Sequence, residues 1–390
     1  MYREDFKHHL TKNLIPFWNS LEDTDHGGFY GTVDKNLNIN KYSPKGVILN
    51  NRILWFYSNA YRLLKDPVLL EKAEHAFHFL YKYCYDAEYK GVYWSVSYDG
   101  TPLDTTKHTY NQAFAIYALS SYYEVSQNPA ALDLAYSIYY IIEEKCKDEN
   151  EYLESFTHDF KPIENDKLSE NGVIADRTMN TLLHVMEAYT ELYRVDTSPG
   201  VEKSIYQILD LFKDKIYNPV RQRCDIFFDN DYHSLINLTS FGHDIETAWL
   251  MDRTCEIISD KSYQQMLTQI TDTLTTAVYN SAYDFENHGL FNEKENNSID
   301  QQKIWWVQAE SVVGFYNAYQ KHPETKEYLS AAENTFSFIL EKMVDKKSGE
   351  WFESIRPDDT IDNEKGMAHA WKCPYHNGRM CIEMMQRLAS

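Results

Sequence analysis

A-F-A-I-Y-A-L-S-S-Y-Y-E-V-S-Q-N-P-A-A-L, residues 113–132, decides the fold. Its first seven residues are apolar on every side of a helix, and a helix of that kind is buried on several sides. A polar break follows. Asn128 is a good N-cap, and Pro129 fits the first helical position, where its missing N–H costs nothing. The stretch therefore predicts a helix, a tight turn and a second helix. The same punctuation recurs as L-L-K-D-P-V at Pro67, V-D-T-S-P-G at Pro199, I-S-D-K-S-Y around Asp260 and Q-K-H-P-E-T at Pro323, roughly 60 to 70 residues apart.

The two helices of each pair differ. The helix after the turn is amphipathic: Leu70, Ala73, Phe77, Leu80 and Tyr81 follow helical spacing, with Glu71, Lys72 and Glu74 opposite. This predicts an inner and an outer helix in each pair. An opening helix near residues 2–20 and a closing one near 375–388 bring the number to about twelve. Six such hairpins in a ring make an all-α (α/α)6 barrel. No composition shift or linker divides the chain, so one domain over residues 1–390 is expected. The longer loops between pairs, G-G-F-Y-G-T-V-D (27–34), G-V-Y-W-S-V-S-Y-D-G (91–100) and D-I-F-F-D-N-D (225–231), read as short β-hairpins at one end of the ring.

A net charge of -21 argues against nucleic acid and against an anionic membrane surface. No apolar run approaches 18 residues, and the charged N-terminus lacks a signal-like apolar core. The six cysteines are scattered with no C-x-x-C pair, as in reduced thiols. A soluble, cytoplasmic protein is expected, and a monomer. Aromatics make up 15% of the chain, 31 of them Tyr and 8 Trp. Aromatic faces stack on the C–H faces of sugars, so carbohydrate is a candidate ligand; filling a wide core is the competing use.

Polar residues collect where the inner helices begin: at Arg52, at His108 to Gln112, at Arg177 to His184, at Phe241 to Glu246, at Trp305 to Glu310, and in W-K-C-P-Y-H-N-G-R, Trp371 to Arg379. If the ring closes, these meet in one pocket. His243 and Glu246 are three apart on a helix and share a face, so the carboxylate is expected to orient the imidazole for acid–base work. Arg52 suits the stabilisation of a developing oxyanion, or a structural ion pair. Of Trp305 and Trp306, one is expected to face the pocket and the other to pack between helices. His184, His243, Cys373 and His376 lack the close spacing of metal ligands, so no metal is expected.

The segments G-G-F-Y-G-T-V-D, K-G-V-I-L-N-N-R-I-L-W-F-Y-S, L-S-E-N-G-V-I-A-D-R-T-M-N-T-L-L-H, G-H-D-I-E-T-A-W-L, I-W-W-V-Q-A-E and W-K-C-P-Y-H-N-G-R-M together resemble the N-acylglucosamine 2-epimerase superfamily, and within it the cellobiose 2-epimerase branch. The resemblance runs from the first helix to the last in the same motif order. It implies an (α/α)6 barrel and cofactor-free epimerisation at C2 of the reducing-end sugar of a β-1,4-linked disaccharide, cellobiose to glucosyl-mannose or lactose to epilactose. It implies ring opening, deprotonation to a cis-enediolate and reprotonation on the opposite face. His243 and His376 match the acid/base pair and Glu246 the supporting carboxylate. Arg52, His184, Trp306 and Trp371 match substrate-binding positions; Tyr110, Asn180 and Trp305 lie in matching segments. The alternatives are an aldose–ketose isomerase of the same superfamily, a glycoside hydrolase on the same barrel using Glu246 and Glu310, or a sugar-binding module without turnover.

Overall fold

The structure is a computed structural model, which describes residues 1–165, 167 and 171–389. The chain opens with α1 (Arg3–His9) and α2 (Ile15–Asn19), joined into one rod by a π-helical turn (Leu10–Leu14). Helix pairs follow: α3 (Val47–Leu64) and α4 (Pro67–Phe79), α5 (Thr109–Ser126) and α6 (Pro129–Lys145), α7 (Met179–Val195) and α8 (Pro199–Leu211), α9 (Phe241–Ile258) and α10 (Lys261–Ala282), α11 (Trp305–Lys321) and α12 (Lys326–Phe338). The last helix is α13 (His376–Arg387). With the α1–α2 rod counted once, twelve helices stand among the described residues.

The odd-numbered helices from α3 to α13 pack side by side in chain order, and α13 returns to α3. Each inner helix also carries its own outer partner, and α13 carries the opening rod. This is the expected (α/α)6 barrel. In α5 every residue from Thr109 to Tyr122 is buried, which is why its sequence is apolar all round. The ring closes tightly: a Cβ added at Gly378 of α13 would lie 2.6 Å from the Phe56 ring of α3, a distance no side chain tolerates.

The turns inside the pairs follow the capping chemistry. Lys65, Gln127 and Ser259 end α3, α5 and α9 in the left-handed region, and the next residue caps the outer helix. Asp66, Asn128 and Asp260 each accept hydrogen bonds from the first turn of the helix that follows. Ser198 holds the same place without a side-chain cap bond. The fifth turn departs from the expectation: α12 starts at Lys326 behind Thr325, and Pro323 lies in the turn ahead of it. His322 has no carboxylate or amide oxygen with which to cap a helix at Pro323.

On α4 the buried face is Leu69, Ala73, Ala76 and Phe77, continuing to Leu80. Tyr81, expected on that face, is 51% exposed. The helix ends in a π turn (Leu80–Cys84), and its wider turn changes the angle per residue, so helical spacing no longer predicts the face. Similar π turns follow α8 (Phe212–Ile216) and α12 (Ile339–Met343).

The loops differ in one respect from independent hairpins. The residues just before an inner helix pair antiparallel with the next loop along the ring. Lys45–Gly46 pairs with Ser95–Val96, Lys107–His108 with Ser155–Phe156, and Arg177–Thr178 with Phe227–Phe228. Leu238–Ser240 pairs with Glu293–Glu295 and Lys303–Ile304 with Ser354–Ile355. Among the described residues, segment 27–34 forms isolated bridges only, and the Val33–Ala368 bridge joins the first loop to the last. Ion pairs pin these latches: Lys45 to Asp23 at 2.6 Å and Lys107 to Asp86 at 2.9 Å, both fully buried, and Arg177 to Asp148 at 2.6 Å and Lys303 to Asp284 at 2.9 Å, whose acids reach solvent. The result is a rigid collar around the helix starts. Among the described residues no helix is long and apolar enough to cross a membrane.

Candidate active site

The collar and the ring bring the N-terminal turns of the inner helices together. Tyr110 and Asn180 are the second residues of α5 and α7; His243 is the third of α9; Trp305, Trp306 and His376 open α11 and α13. Arg52 reaches in from α3. Each helix start carries partial positive charge, so their convergence favours an anion between them.

A buried charge cluster forms the floor. The Arg379 guanidinium donates to Glu187, to Glu246 and to the Tyr375 hydroxyl, and stands 2.7 Å from Glu310. Tyr375 in turn donates to Glu187 at 2.6 Å. The Glu310 carboxylate meets His376 Nδ1 at 2.7 Å and accepts from the Trp249 indole at 3.1 Å. Glu187 meets His184 Nδ1 at 2.8 Å. Arg52 donates to the Tyr110 hydroxyl at 2.9 Å and to the Trp371 carbonyl at 3.3 Å, and lies over the Phe114 and Tyr375 rings.

His243 is held differently from the expectation. Its Nδ1 meets the Ser240 hydroxyl at 2.8 Å, not Glu246. Glu246, one turn on, is drawn to Arg379 across the ring, because a buried carboxylate gains more from a guanidinium than from a neutral imidazole. The H-x-x-E spacing does make a pair elsewhere, in His184 and Glu187. The Trp306 ring lies against both His243 and His376, at 4.8 and 5.5 Å between centroids. Trp305 is enclosed and meets His376 edge-on at 5.4 Å. Trp371 stands against Trp94 and Tyr110 at 5.7 and 6.0 Å. Asn180 keeps to α7 outside the charge cluster, and its Oδ1 is buried without a hydrogen bond among the described residues. Leu168, Ser169 and Glu170 of the L-S-E-N-G segment lie outside the described residues.

Burial sets the protonation states. It pushes His243 down to about 3, with His184 adding repulsion. Burial, then Arg379 and Arg52, hold His376 well below the usual imidazole range. Both rings are therefore neutral at neutral pH, and Nε2 of each makes no hydrogen bond among the described residues. Glu246 is raised to about 7 by burial and by Glu310 beside it. Glu187 goes the other way: burial alone would raise it, but Arg379, His184 and Tyr375 hold it at about 2. Glu246, Glu310 and His376 are close enough together to hold an ion. Both carboxylates already face Arg379, so the cation of this site is a guanidinium supplied by the chain.

The reading from sequence missed Glu187, Ser240, Trp249, Tyr375 and Arg379. One signal pointed to Glu187, since H-x-x-E occurs at 184–187 as well as at 243–246. Trp249, Tyr375 and Arg379 act through partners far away in the chain, for which the sequence holds no local pattern. Ser240 lies only three positions before His243, but a serine at a helix start reads as an ordinary N-cap.

A family model described as N-acylglucosamine 2-epimerase matches residues 28–377. A cellobiose 2-epimerase of Eubacterium cellulosolvens is 48% identical, covering 97% of this chain and 96% of that protein. One from Ruminococcus albus is 44% identical over 99% of both chains. The crystal structure of a sugar epimerase from a ruminal bacterium superposes with a TM-score of 0.97 at 43% identity, over 99% of both chains. A barrel of this kind with these likenesses is an epimerase, an isomerase by class. The chain belongs to the N-acylglucosamine 2-epimerase family.

Proposed function

We propose that the protein inverts C2 of the reducing-end sugar of β-1,4-linked disaccharides, converting cellobiose to glucosyl-mannose and lactose to epilactose. One observation carries the reading: two neutral imidazoles, His243 and His376, flank the Trp306 ring, each held by Nδ1 and each with Nε2 left to work. The relatives that share the whole chain are cellobiose 2-epimerases, which supports the substrate class.

A C2 proton becomes acidic only when C1 is a carbonyl, so the sugar ring must open first. His184, paired with Glu187, assists the proton's move from the C1 hydroxyl to the ring oxygen. His376 then takes the C2 proton through Nε2, while Glu310 stabilises the imidazolium that forms. The cis-enediolate is the anion that Arg52 and the converging helix starts stabilise. After rotation about C2–C3, His243 takes a proton from solvent at Nε2 and delivers it to the other face, and His376 releases the proton it took to solvent. In the reverse direction the two imidazoles exchange roles. Trp306 and Trp371 supply stacking faces for the sugars, with Tyr110, Asn180 and Trp305 shaping the walls. No added cofactor is invoked. A hydrolase would need Glu246 and Glu310 facing the glycosidic bond, whereas both face Arg379. Six free, buried thiols fit a reducing cytoplasm.

Incubation with cellobiose in D2O tests the scheme. Deuterium enters at C2 of both sugars, and His243→Asn and His376→Asn each lower kcat by about 10²-fold or more. Label-free C2 together with two active variants would sink the scheme. Ketose products would point to the isomerase instead, and free glucose to a hydrolase.

A further inference from the structure

Serine is favoured at a helix N-cap because its hydroxyl accepts from a backbone N–H of the first turn. Thr178, Asp66, Asn128 and Asp260 do this for α7, α4, α6 and α10. Ser240 occupies the N-cap of α9 and makes no such bond. Its buried hydroxyl turns instead to the ring of the third helical residue, 2.8 Å from His243 Nδ1. A hydroxyl placed for capping has been given to an imidazole.

We propose that Ser240 is a positioning residue, which accepts a hydrogen bond from His243 Nδ1–H and thereby leaves Nε2 as the atom that exchanges the C2 proton. The inference rests on His243 being a proton carrier, as argued above. It also explains why the two histidines have different partners. The Glu310 carboxylate favours the charged form of His376. A hydroxyl is uncharged, and it can accept from Nδ1–H both when the ring is neutral and when it is an imidazolium. His243 can then gain and lose a proton at Nε2 without breaking the bond that aims it. Glu246 is not free for this task, since Arg379 holds it. Strand pairing of Leu238–Ser240 with Glu293–Glu295 fixes the serine from behind.

Three variants and one spectrum test the proposal. Ser240→Ala lowers kcat on cellobiose by about tenfold or more with KM little changed, because binding contacts are intact. Ser240→Thr, which keeps the hydroxyl, retains most of the activity. Ser240→Cys, a weaker acceptor in nearly the same volume, falls between them. In 15N-imidazole spectra of the free protein, His243 carries its proton on Nδ1, and the alanine variant shifts it toward Nε2. Wild-type kcat in the alanine variant, or an unchanged tautomer, overturns the proposal. A wild-type protein that fails to epimerise cellobiose overturns the function assigned above, and the tautomer spectrum still decides the role of Ser240.

Discussion

At the scale of single residues, the site works by giving chemically similar groups different partners. Glu187, Glu246 and Glu310 all touch one guanidinium, yet Glu187 is held at about 2 and Glu246 is raised to about 7. The difference lies in the remaining neighbours: a histidine and a tyrosine donate to Glu187, whereas Glu246 has Glu310 beside it and a buried oxygen, Oε2, without a hydrogen bond among the described residues. Glu310 has the most direct line to the chemistry, through His376 Nδ1. Glu310→Gln keeps the shape but loses the charge that stabilises the imidazolium. The expected result is a fall in kcat of about 10²-fold, near the lower end of what general acid–base catalysis contributes, with KM nearly unchanged. Steady-state kinetics on cellobiose checks it, and a kcat within about twofold of wild type would remove Glu310 from the mechanism. Such partnerships were the least legible part of the sequence. His376 and Glu310 are 66 positions apart, and Arg379 and Glu187 are 192 apart. Only closure of the ring joins them, and helical spacing applied to His243 alone named the wrong partner.

At the scale of elements, capping chemistry was legible because it is local. Asp before a helix start predicts a bond two or three residues on, and α10 has it: Asp260 accepts from Ser262 and Tyr263 at 2.9 and 3.1 Å. Ser198 looks equivalent in sequence and makes no cap bond to α8. Asp260→Ala should therefore cost about 1 kcal/mol, while Ser198→Ala costs a few tenths at most. Urea unfolding of the two variants beside wild type measures the difference; equal losses would mean that the caps contribute nothing specific. Strand partners were not legible, for a physical reason. Latches such as Lys107–His108 against Ser155–Phe156 are two residues long, too short to show alternation, and their register is set by buried lysines whose acids lie in the preceding loop. The π turns were hidden likewise, since an apolar face that slips by part of a turn, as at Tyr81, resembles an ordinary surface aromatic.

At the scale of the whole molecule, the ring was readable from repeated turn chemistry and all-round apolar helices. What closes it is long-range contact between the chain's beginning and its end. The Trp351 indole donates to His9 Nε2 at 2.8 Å, Arg3 donates to the Met385 carbonyl at 3.2 Å, and the N-terminal ammonium meets Glu333 at 3.1 Å. His9 makes this closure sensitive to pH. Burial, then Lys346 and His8 nearby, lowers its pKa from 6.5 to about 4. A histidine whose folded value is depressed binds fewer protons in the folded state than in the unfolded one. Its contribution is intact above the unfolded value of about 6.5 and is lost as pH falls toward 4. His243 and His376 act in the same direction. Glu154, Asp244 and Glu246, each raised to about 7, act oppositely: their cost grows as pH rises from the ordinary carboxylate range to 7. The two sets offset each other between about pH 4.5 and 6.5, so the wild-type curve alone does not separate them. His9→Gln does, because the amide oxygen can accept from Trp351 and does not titrate. Relative to wild type, the variant should gain about 2 kcal/mol of unfolding free energy on going from pH 7.5 to 4.5, at about 1.4 kcal/mol per unit of pKa shift. Urea unfolding at the two pH values decides it. A stability difference between variant and wild type that does not change with pH would mean that His9 is not buried neutral, and that the joint between the first helix and the last loop is held by something other than this bond.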